Sequence, residues 1–245
     1  RASPQGARFL SAPVSGGWRE CKKGAALFLC GGSREAYEAA TPAMDIMGEK
    51  SWLCGDSPAH AARAKLVLQV SMGTLVASLA ESLALADGAG VDPEMVTEML
   101  QKSALRSPMT AAKGRLMLEK NWAPNFQVYL QQKDLRLAMD LGNELDVQLP
   151  ITAAANSMYV RAKQLGHANS DFAAVAVAYD GGAAPVREVG YPACTPSSAA
   201  HVTSRGTLHC SRLKLQTSFY WTVARRLEGG VRLALLPQAV QRARA

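Results

Sequence analysis

The chain has 245 residues, of which 48% are apolar and 19% are charged, and its mean hydropathy is −0.03. These proportions exclude a chain that is disordered throughout and a protein with many membrane spans. The net charge of +7 belongs to one end, because residues 1–180 contain 18 basic and 18 acidic residues, whereas residues 181–245 contain nine basic and two acidic. The basic pI therefore gives no information about the partners of the first 180 residues.

Short apolar runs with glycine-rich ends occupy the first 57 residues. Strands are predicted over 8–14, 25–30 and 51–54. A helix is predicted after Ser33, and Pro42 is expected to break or end its first part. The succession of strand, strand, helix and strand indicates the edge of an α/β sheet.

The hydrophobic period changes after Gly55. Apolar residues recur at helical spacing over 59–86 without a proline, which predicts one helix of about 28 residues. Gly73 lowers helix propensity within it but permits close packing by a neighbour. Asp92-Pro93-Glu94 is a helix start signal, and further helices are predicted over 109–119, 131–141 and 151–165. Residues 58–180 are therefore predicted to form an all-α unit.

Membrane, disulfide and metal signals are weak. The apolar uncharged run 66–80 has 15 residues, fewer than the roughly 18–20 that span a bilayer, so no transmembrane segment is predicted. Five cysteines without a CxxC pair fit neither a disulfide framework nor a zinc site, and reduced, mostly buried thiols are expected. The residues fix no compartment, and a soluble intracellular protein is expected.

Three short motifs carry candidate chemistry, although each alone has a more common structural explanation. Ser15-Gly16-Gly17 ends a predicted strand with a hydroxyl and unhindered amides, which suit a carboxylate, but it also suits an ordinary turn. Lys65 lies on an apolar stretch with Gln69 on the same helix face, where a general acid or base with a lowered pKa competes with a solvated lysine. Lys133 stands near the start of another helix, where a contact with a phosphate, a carboxylate or an amide competes with a solvated Lys-Asp pair.

Several separated segments, taken in order, resemble the β-hydroxyacid dehydrogenase family, which includes 3-hydroxyisobutyrate dehydrogenase. The likeness covers roughly residues 6–178, and within the family it is greatest to the plant-type glyoxylate/succinic semialdehyde reductases. The segments are APVSGG at 12–17, AALFLCGG at 25–32, AKLVLQVSMG at 64–73, QQKDLRLAMDLG at 131–142, LPITAAANSMY at 149–159 and DFAAV at 171–175.

The resemblance implies a fold and a reaction. Residues 1–57 would be the last part of an incomplete Rossmann domain, and 58–180 the all-helical dehydrogenase domain built on the long helix. Members of the family move a hydride between NADP(H) or NAD(H) and the carbonyl carbon of a small aldehyde acid or hydroxy acid. By this resemblance Ser15 and the amides of Gly16 and Gly17 would hold the substrate carboxylate beside the nicotinamide.

The resemblance also implies roles for three residues of the helical part. Lys65 matches the family's catalytic lysine, which protonates the carbonyl oxygen as the hydride arrives. Gln69 stands where the family usually has an asparagine that orients the substrate. Lys133 matches the lysine that closes on the cofactor and substrate.

Departures from the family pattern favour a second hypothesis. Ala59 and Ala61 replace two glycines before the lysine and are expected to crowd a turn that the substrate approaches. No GxGxxG turn occurs in the sequence, so the chain is expected to be a fragment that binds the dinucleotide poorly. The alternative to a reductase is a catalytically incompetent, dehydrogenase-like oligomerisation module. On either hypothesis we expect a homo-oligomer formed through the helical domain.

Residues 181–245 resemble nothing in the rest of the chain, and an irregular, basic tail is predicted. Three aromatic residues at 219–221 followed by Arg225 and Arg226 would allow a basic amphipathic helix on nucleic acid or a membrane surface. A disordered tail, or sequence that does not normally encode protein, is the alternative. Binding to nucleic acid is not expected.

Overall fold

A computed structural model describes residues 8–180 together with 221–226 and 230–235. Its first part alternates strands and helices, as predicted. The elements are β1 (Leu10–Ser11), β2 (Val14–Ser15), α1 (Trp18–Lys22), β3 (Ala26–Gly32), α2 (Arg34–Met47) and β4 (Gly48–Gly55). The single strand predicted over 8–14 is thus two short strands, and the sequence pattern did not predict α1.

Strand β3 is the centre of the sheet. It pairs in parallel with β4 on one side, with Phe28 opposite Ser51. On the other side β2 and β1 run antiparallel to its two halves, with Ser15 opposite Leu27 and Ser11 opposite Gly31. The turn that follows β2 is therefore fixed by a buried strand.

Helix α2 runs through Pro42, which contradicts the expected break. Proline removes one backbone donor from a helix interior. Here Pro42 lies on the exposed face, while Ala36, Ala40 and Met44 are buried against β3 and β4. Burial of the opposite face offsets the missing hydrogen bond, so the helix continues to Met47.

The remaining helices form the second part of the chain. They are α3 (Pro58–Gly88), α4 (Pro93–Lys102), α5 (Pro108–Leu118), α6 (Val128–Glu144) and α7 (Pro150–Ala162), followed by a π-helical turn (Lys163–His167) and a 3₁₀ helix (Phe172–Ala178). Four of them begin with proline, preceded by Ser57, Asp92, Ser107 and Leu149. The predicted helices are confirmed, with ends displaced by a few residues.

Helix α3 is the axis of this part. Its first turn is a capping box, in which the Ser57 hydroxyl accepts from the backbone N–H of Ala59 and Nδ1 of His60 accepts from that of Ser57. A Cβ built on Gly73 would lie 2.5 Å from Nε2 of Gln131 in α6, so the glycine permits the close helix packing that was predicted. By length and composition alone α3 is able to cross a membrane, a test that the core helix of a globular protein also passes.

The helical core surrounds the middle of α3. Val76 and Leu79 of that helix pack with Leu135 of α6, Tyr159 of α7 and Phe172 of the 3₁₀ helix. The Tyr159 hydroxyl is buried and donates to the Gly73 carbonyl oxygen at 3.1 Å. Helices α3, α6 and α7 are thus joined on the side of Gly73, and this packing fixes the position of α6 relative to Lys65.

Two strands lie within the region predicted to be irregular. They are β5 (Trp221–Arg226) and β6 (Gly230–Leu235), which form an antiparallel hairpin, and Thr222 pairs with Ser11 of β1. Arg225 and Arg226 therefore belong to a strand, and not to the amphipathic helix that was considered. The other residues of 181–245 lie outside the described part of the chain.

Candidate active site

The Ser15–Gly17 turn joins β2 to α1. Ser15 is buried in the strand, whereas Gly16 is exposed. Gly16 has φ of +131°, a conformation that L side chains rarely adopt. Gly17 is the N-cap residue of α1, and its carbonyl accepts from the N–H of Cys21 at 3.0 Å. The turn predicted to hold a carboxylate is thus a glycine-dependent turn at the edge of the α/β part.

Lys65 projects from the second turn of α3 and is partly buried. Burial lowers the pKa of Lys65, and the nearby charge of Lys133 acts in the same direction. The carboxylate of Asp134 and the thiol of Cys21 oppose this decrease. An amine in this environment gives up its proton more readily than a lysine in water, which is what proton transfer near neutral pH requires.

Gln69, one turn beyond Lys65, is buried and faces α6. Its Nε2 donates to Asp134 Oδ2 at 2.9 Å and to Gln131 Oε1 at 3.4 Å. In return, Gln131 Nε2 donates to the Gln69 backbone carbonyl at 3.0 Å. The Gln69 Oε1 atom is buried with no hydrogen-bond partner among the described residues. Both amide protons are therefore engaged within the protein, and only the acceptor is left for another group.

Lys133 lies on α6 beside Gln69. Its Nζ is 2.7 Å from Asp134 Oδ1, whereas Gln69 donates to Oδ2 of the same buried carboxylate. The sequence allowed a Lys-Asp pair exposed to solvent. In the structure only Lys133 is partly exposed, because the carboxylate of Asp134 is buried. Asp134 is the functional candidate that the sequence reasoning missed, and its only signal was its place next to Lys133.

The structure brings Lys65, Gln69 and Lys133 together around Asp134, between α3 and α6. Helix α1 directly follows the Ser15–Gly17 turn, and Cys21 of α1 is close enough to Lys65 for each to shift the pKa of the other. The helix that follows the predicted carboxylate turn therefore lies near the predicted residues of the helical part. Their chemical roles remain predictions.

The two alanines that replace family glycines are accommodated. Ala59 is exposed. Ala61 is fully buried against Gly31, at the end of β3. A Cβ built on Gly31 would lie 3.0 Å from the Cβ of Ala61 and 2.5 Å from the Ser57 carbonyl oxygen. Because the facing residue on β3 is a glycine, there is room for the Ala61 methyl group. The expected crowding therefore restricts the side chain at position 31 and not the turn before Lys65.

The cysteines differ from the expectation of mostly buried thiols. Cys30 is buried and donates to the Met44 sulfur at 3.5 Å, Cys54 is half-buried, and Cys21 is exposed. Cys194 and Cys210 lie outside the described residues. In the described part of the chain, no group of three or more His, Cys, Asp or Glu side chains is arranged to hold a metal ion.

Comparisons with known proteins identify the family. A sequence model described as the NAD-binding domain of NADP-dependent 3-hydroxyisobutyrate dehydrogenase matches residues 59–179, and one described as the NAD binding domain of 6-phosphogluconate dehydrogenase matches residues 1–55. Among solved structures, a 3-hydroxyisobutyrate dehydrogenase from Salmonella typhimurium is 27% identical with a TM-score of 0.64, and the match covers 69% of this chain and 59% of that one.

Curated relatives agree with this assignment. The chain is 39% identical to the chloroplastic glyoxylate/succinic semialdehyde reductase 2 of Arabidopsis thaliana and 35% identical to reductase 1, over 69% and 70% of its length. It is also 35% identical to the human cytokine-like nuclear factor N-PAC over 71% of its length. The chain spans 47%, 59% and 32% of these three proteins. The chain belongs to the β-hydroxyacid dehydrogenase family.

Proposed function

We propose that the chain is the substrate-binding and proton-transferring part of an NAD(P)H-dependent reductase of short aldehyde acids, or of the reverse dehydrogenase. The observation that carries this proposal is the partly buried Lys65, whose pKa is lowered first by burial and then by Lys133, while Asp134 opposes the decrease. An ammonium group held near a carboxylate and a second lysine is suited to donating a proton and to recovering it.

In this proposal Lys65 donates its proton to the carbonyl oxygen of the substrate. The developing alkoxide is then neutralised at the oxygen where its charge forms, which lowers the barrier. Ser15 and the amides of Gly16 and Gly17 bind the carboxylate and fix the aldehyde carbon. The buried Gln69 Oε1 would accept from the hydroxyl of the hydroxy acid, which is the product of reduction, since the amide protons of Gln69 are already engaged.

The cofactor of the proposed reaction is NADP(H) or NAD(H), whose nicotinamide supplies the hydride. Lys133 would contact its nicotinamide end, because its side chain is one third exposed beside Lys65. The sequence contains no GxGxxG turn for the pyrophosphate. The residues therefore fit the reacting end of the dinucleotide, and we expect the chain by itself to bind NADPH weakly.

The direct test is to measure turnover by the chain, expressed together with whatever native coding sequence precedes residue 1. We expect NADPH-dependent reduction of glyoxylate or succinic semialdehyde, and Lys65→Ala to lower kcat by about 10²–10⁴-fold. Lys102→Ala is the matched control, since Lys102 is an exposed lysine of α4. No turnover on either aldehyde or on 3-hydroxyisobutyrate with intact Lys65, or equal turnover by Lys65→Ala, would contradict the proposal.

A second candidate function is that of an oligomerisation module without catalysis, and the surface of α3 favours it. Val67, Leu75 and Leu85 are large apolar residues with 66%, 38% and 73% of their surface exposed on one face of the helix. Two serines between them, Ser78 and Ser82, donate their hydroxyls to backbone carbonyls of the same helix. These two hydroxyls are therefore satisfied within the helix, and the apolar stripe suits a second copy of the helix.

We propose that this stripe pairs two copies of the chain, whether or not the chain is catalytic. Light scattering should give at least a dimer at micromolar concentration, and Val67→Asp should convert it to a monomer. Ile46→Asp is the control, because Ile46 is 84% exposed on α2, away from α3. A wild-type monomer would remove the oligomerisation proposal, and an oligomer without NADPH-dependent turnover would favour the module over the enzyme.

A further inference from the structure

We propose that Asn125 is a positioning residue, supplied by the loop before α6, that holds the Ser15–Gly17 turn in the shape that binds a carboxylate. The inference rests on the proposed function, in which the amides of that turn receive the substrate. Asn125 belongs to none of the segments that carried the family resemblance. Its role is argued from contacts between the two parts of the chain.

The first contact is with Gly17. A Cβ built on Gly17 would lie 2.6 Å from Asn125 Oδ1, 2.7 Å from Nδ2 and 2.8 Å from Cγ, distances that real side chains do not adopt. The Gly17 backbone, with φ of −78° and ψ of −178°, is extended and open to any residue. The backbone conformation therefore does not require a glycine at position 17, and the obstacle that a side chain there would meet is the Asn125 amide.

The second contact fixes the orientation of the amide. Asn125 Nδ2 donates to Glu20 Oε2 at 3.4 Å, and Glu20 lies in α1, three residues after Gly17. One side chain thus touches both the start and the body of a helix that is only five residues long. A helix of this length is not stable by itself, so external contacts decide where it sits.

Asn125 is itself held rigidly from the interior. Its backbone N–H donates to Asp171 Oδ2 at 3.1 Å, and the N–H of Phe126 donates to the same atom at 3.3 Å. Asp171 is fully buried and paired with Lys113 at 2.7 Å. The position of the amide over the turn is therefore set by a buried ion pair of the helical core.

The Asn125 side chain carries a cost that packing alone does not explain. Its Oδ1 atom is buried without a hydrogen-bond partner among the described residues. A buried acceptor without a donor is unfavourable compared with an apolar group of the same shape. The amide is therefore better explained by the turn that it positions than by a contribution to stability.

The test is titration of the full chain with glyoxylate by calorimetry, with thermal unfolding measured on the same samples. Asn125→Ala should raise the Kd for glyoxylate roughly tenfold, while Tm stays equal or rises. Asn121→Ala is the matched control in the same loop, because the side chain of the exposed Asn121 accepts from the N–H of Ala123 within that loop, and the Kd of this variant should not change.

A paired substitution tests the contact itself. Gly17→Ala should weaken glyoxylate binding by at least tenfold, because its methyl group meets the amide. In an Asn125→Gly background the same change should alter Kd by less than about twofold, since the obstacle is gone. A Gly17→Ala chain that binds normally, or a double variant as weak as expected for two independent losses, would overturn the proposal.

The outcomes separate this inference from the function on which it rests. A wild-type chain that binds none of glyoxylate, succinic semialdehyde and 3-hydroxyisobutyrate would overturn both. A wild-type chain that binds, with an unchanged Kd in Asn125→Ala, would overturn the positioning role alone. A lower Tm in Asn125→Ala together with the weaker binding would also overturn it, because the residue would then act through general stability.

Discussion

The helical part of the chain contains two Lys–Asp pairs with the same Nζ to carboxylate distance of 2.7 Å and very different surroundings. In the first, the side chains of Lys113 and Asp171 are 7% and 0% exposed. In the second, the side chains of Lys133 and Asp134 are 33% and 5% exposed. The same two residue types at the same distance therefore serve one enclosed site and one open site.

The two sites differ in whether all of their buried hydrogen-bonding atoms have partners. Both oxygens of Asp171 are occupied, by Lys113 and by the backbone N–H groups of Ala173, Asn125 and Phe126. Asp134 receives Lys133 and Gln69, and the acceptor atom of Gln69 has no partner. A saturated buried pair is a framework element, whereas a pair that contains a partly exposed lysine and lies next to an unsatisfied acceptor is suited to a ligand.

The largest expected effect is on the enclosed pair. Asp171→Ala leaves the Lys113 ammonium buried without a partner and frees three backbone donors, so we expect a loss of about 3–5 kcal/mol in the free energy of unfolding. Urea unfolding followed by circular dichroism measures it. Asp140→Ala is the control, because Asp140 is 57% exposed on α6. A loss below about 1 kcal/mol would show that the enclosed pair is not the framework.

The open pair is expected to respond less in stability and more in pH dependence. Asp134→Asn should cost about 1 kcal/mol, because Lys133 reaches water when its partner is removed. Asp134 raises the pKa of Lys65 against the decrease caused by burial and Lys133, with Cys21 acting in the same sense as Asp134. The variant should therefore lower that pKa further. Reduction requires the protonated amine, so the alkaline limb of kcat/KM should move to lower pH, and an unchanged limb would separate Asp134 from Lys65.

Lys65 is predicted to lower the free energy of unfolding at pH 7 although turnover requires it. Burial lowers its folded-state pKa below the unfolded value, so at neutral pH the charged lysine is a cost to folding. Lys65→Met should abolish turnover and stabilise the chain by about 0.5–1 kcal/mol at pH 7. The gain should shrink as the pH rises through the lowered pKa, where the wild-type lysine becomes neutral. Thermal unfolding at pH 7 and pH 10 tests this, and a destabilised variant at pH 7 would contradict it.

The smallest effect is expected at a third ion pair, on the outside of α6. Arg136 and Asp140 are 3.6 Å apart, and both are more than half exposed. Arg136→Ala should change the free energy of unfolding by less than about 0.5 kcal/mol, since water screens exposed charges. Urea unfolding of Arg136→Ala and Asp171→Ala, measured in parallel, compares the exposed ion pair with the buried one. A larger loss would mean that burial does not govern the strength of these pairs.

Much of the helical part followed from local sequence signals. Asp92-Pro93 starts a helix because a capping side chain and a first-turn proline satisfy the N-terminal backbone without tertiary help. The four-residue spacing of Lys65 and Gln69 also predicted their common direction correctly. Such features are local, and therefore a single sequence is enough to find them.

Other features depended on contacts between distant residues. The continuation of α2 through Pro42 depends on burial of its opposite face against β3 and β4, and α1 has too few residues to give a periodic signal. Gln127–Asp171 bridging and the Lys113–Asp171 pair join residues 44 to 58 positions apart. No local pattern distinguished Asp171 from an exposed helix-capping aspartate.

By itself, the sequence determined the family, the succession of helices in the second part of the chain, the long helix and the place of the basic charge at one end, because these follow from composition, spacing and motif order. Only the tertiary structure decided that Asp134 is buried between Lys133 and Gln69, and that Asn125 lies on Gly17. The physical reason is that desolvation and close contact depend on which helix faces pack together. Those faces are set by the whole core around α3, and not by the residues next to them in the chain.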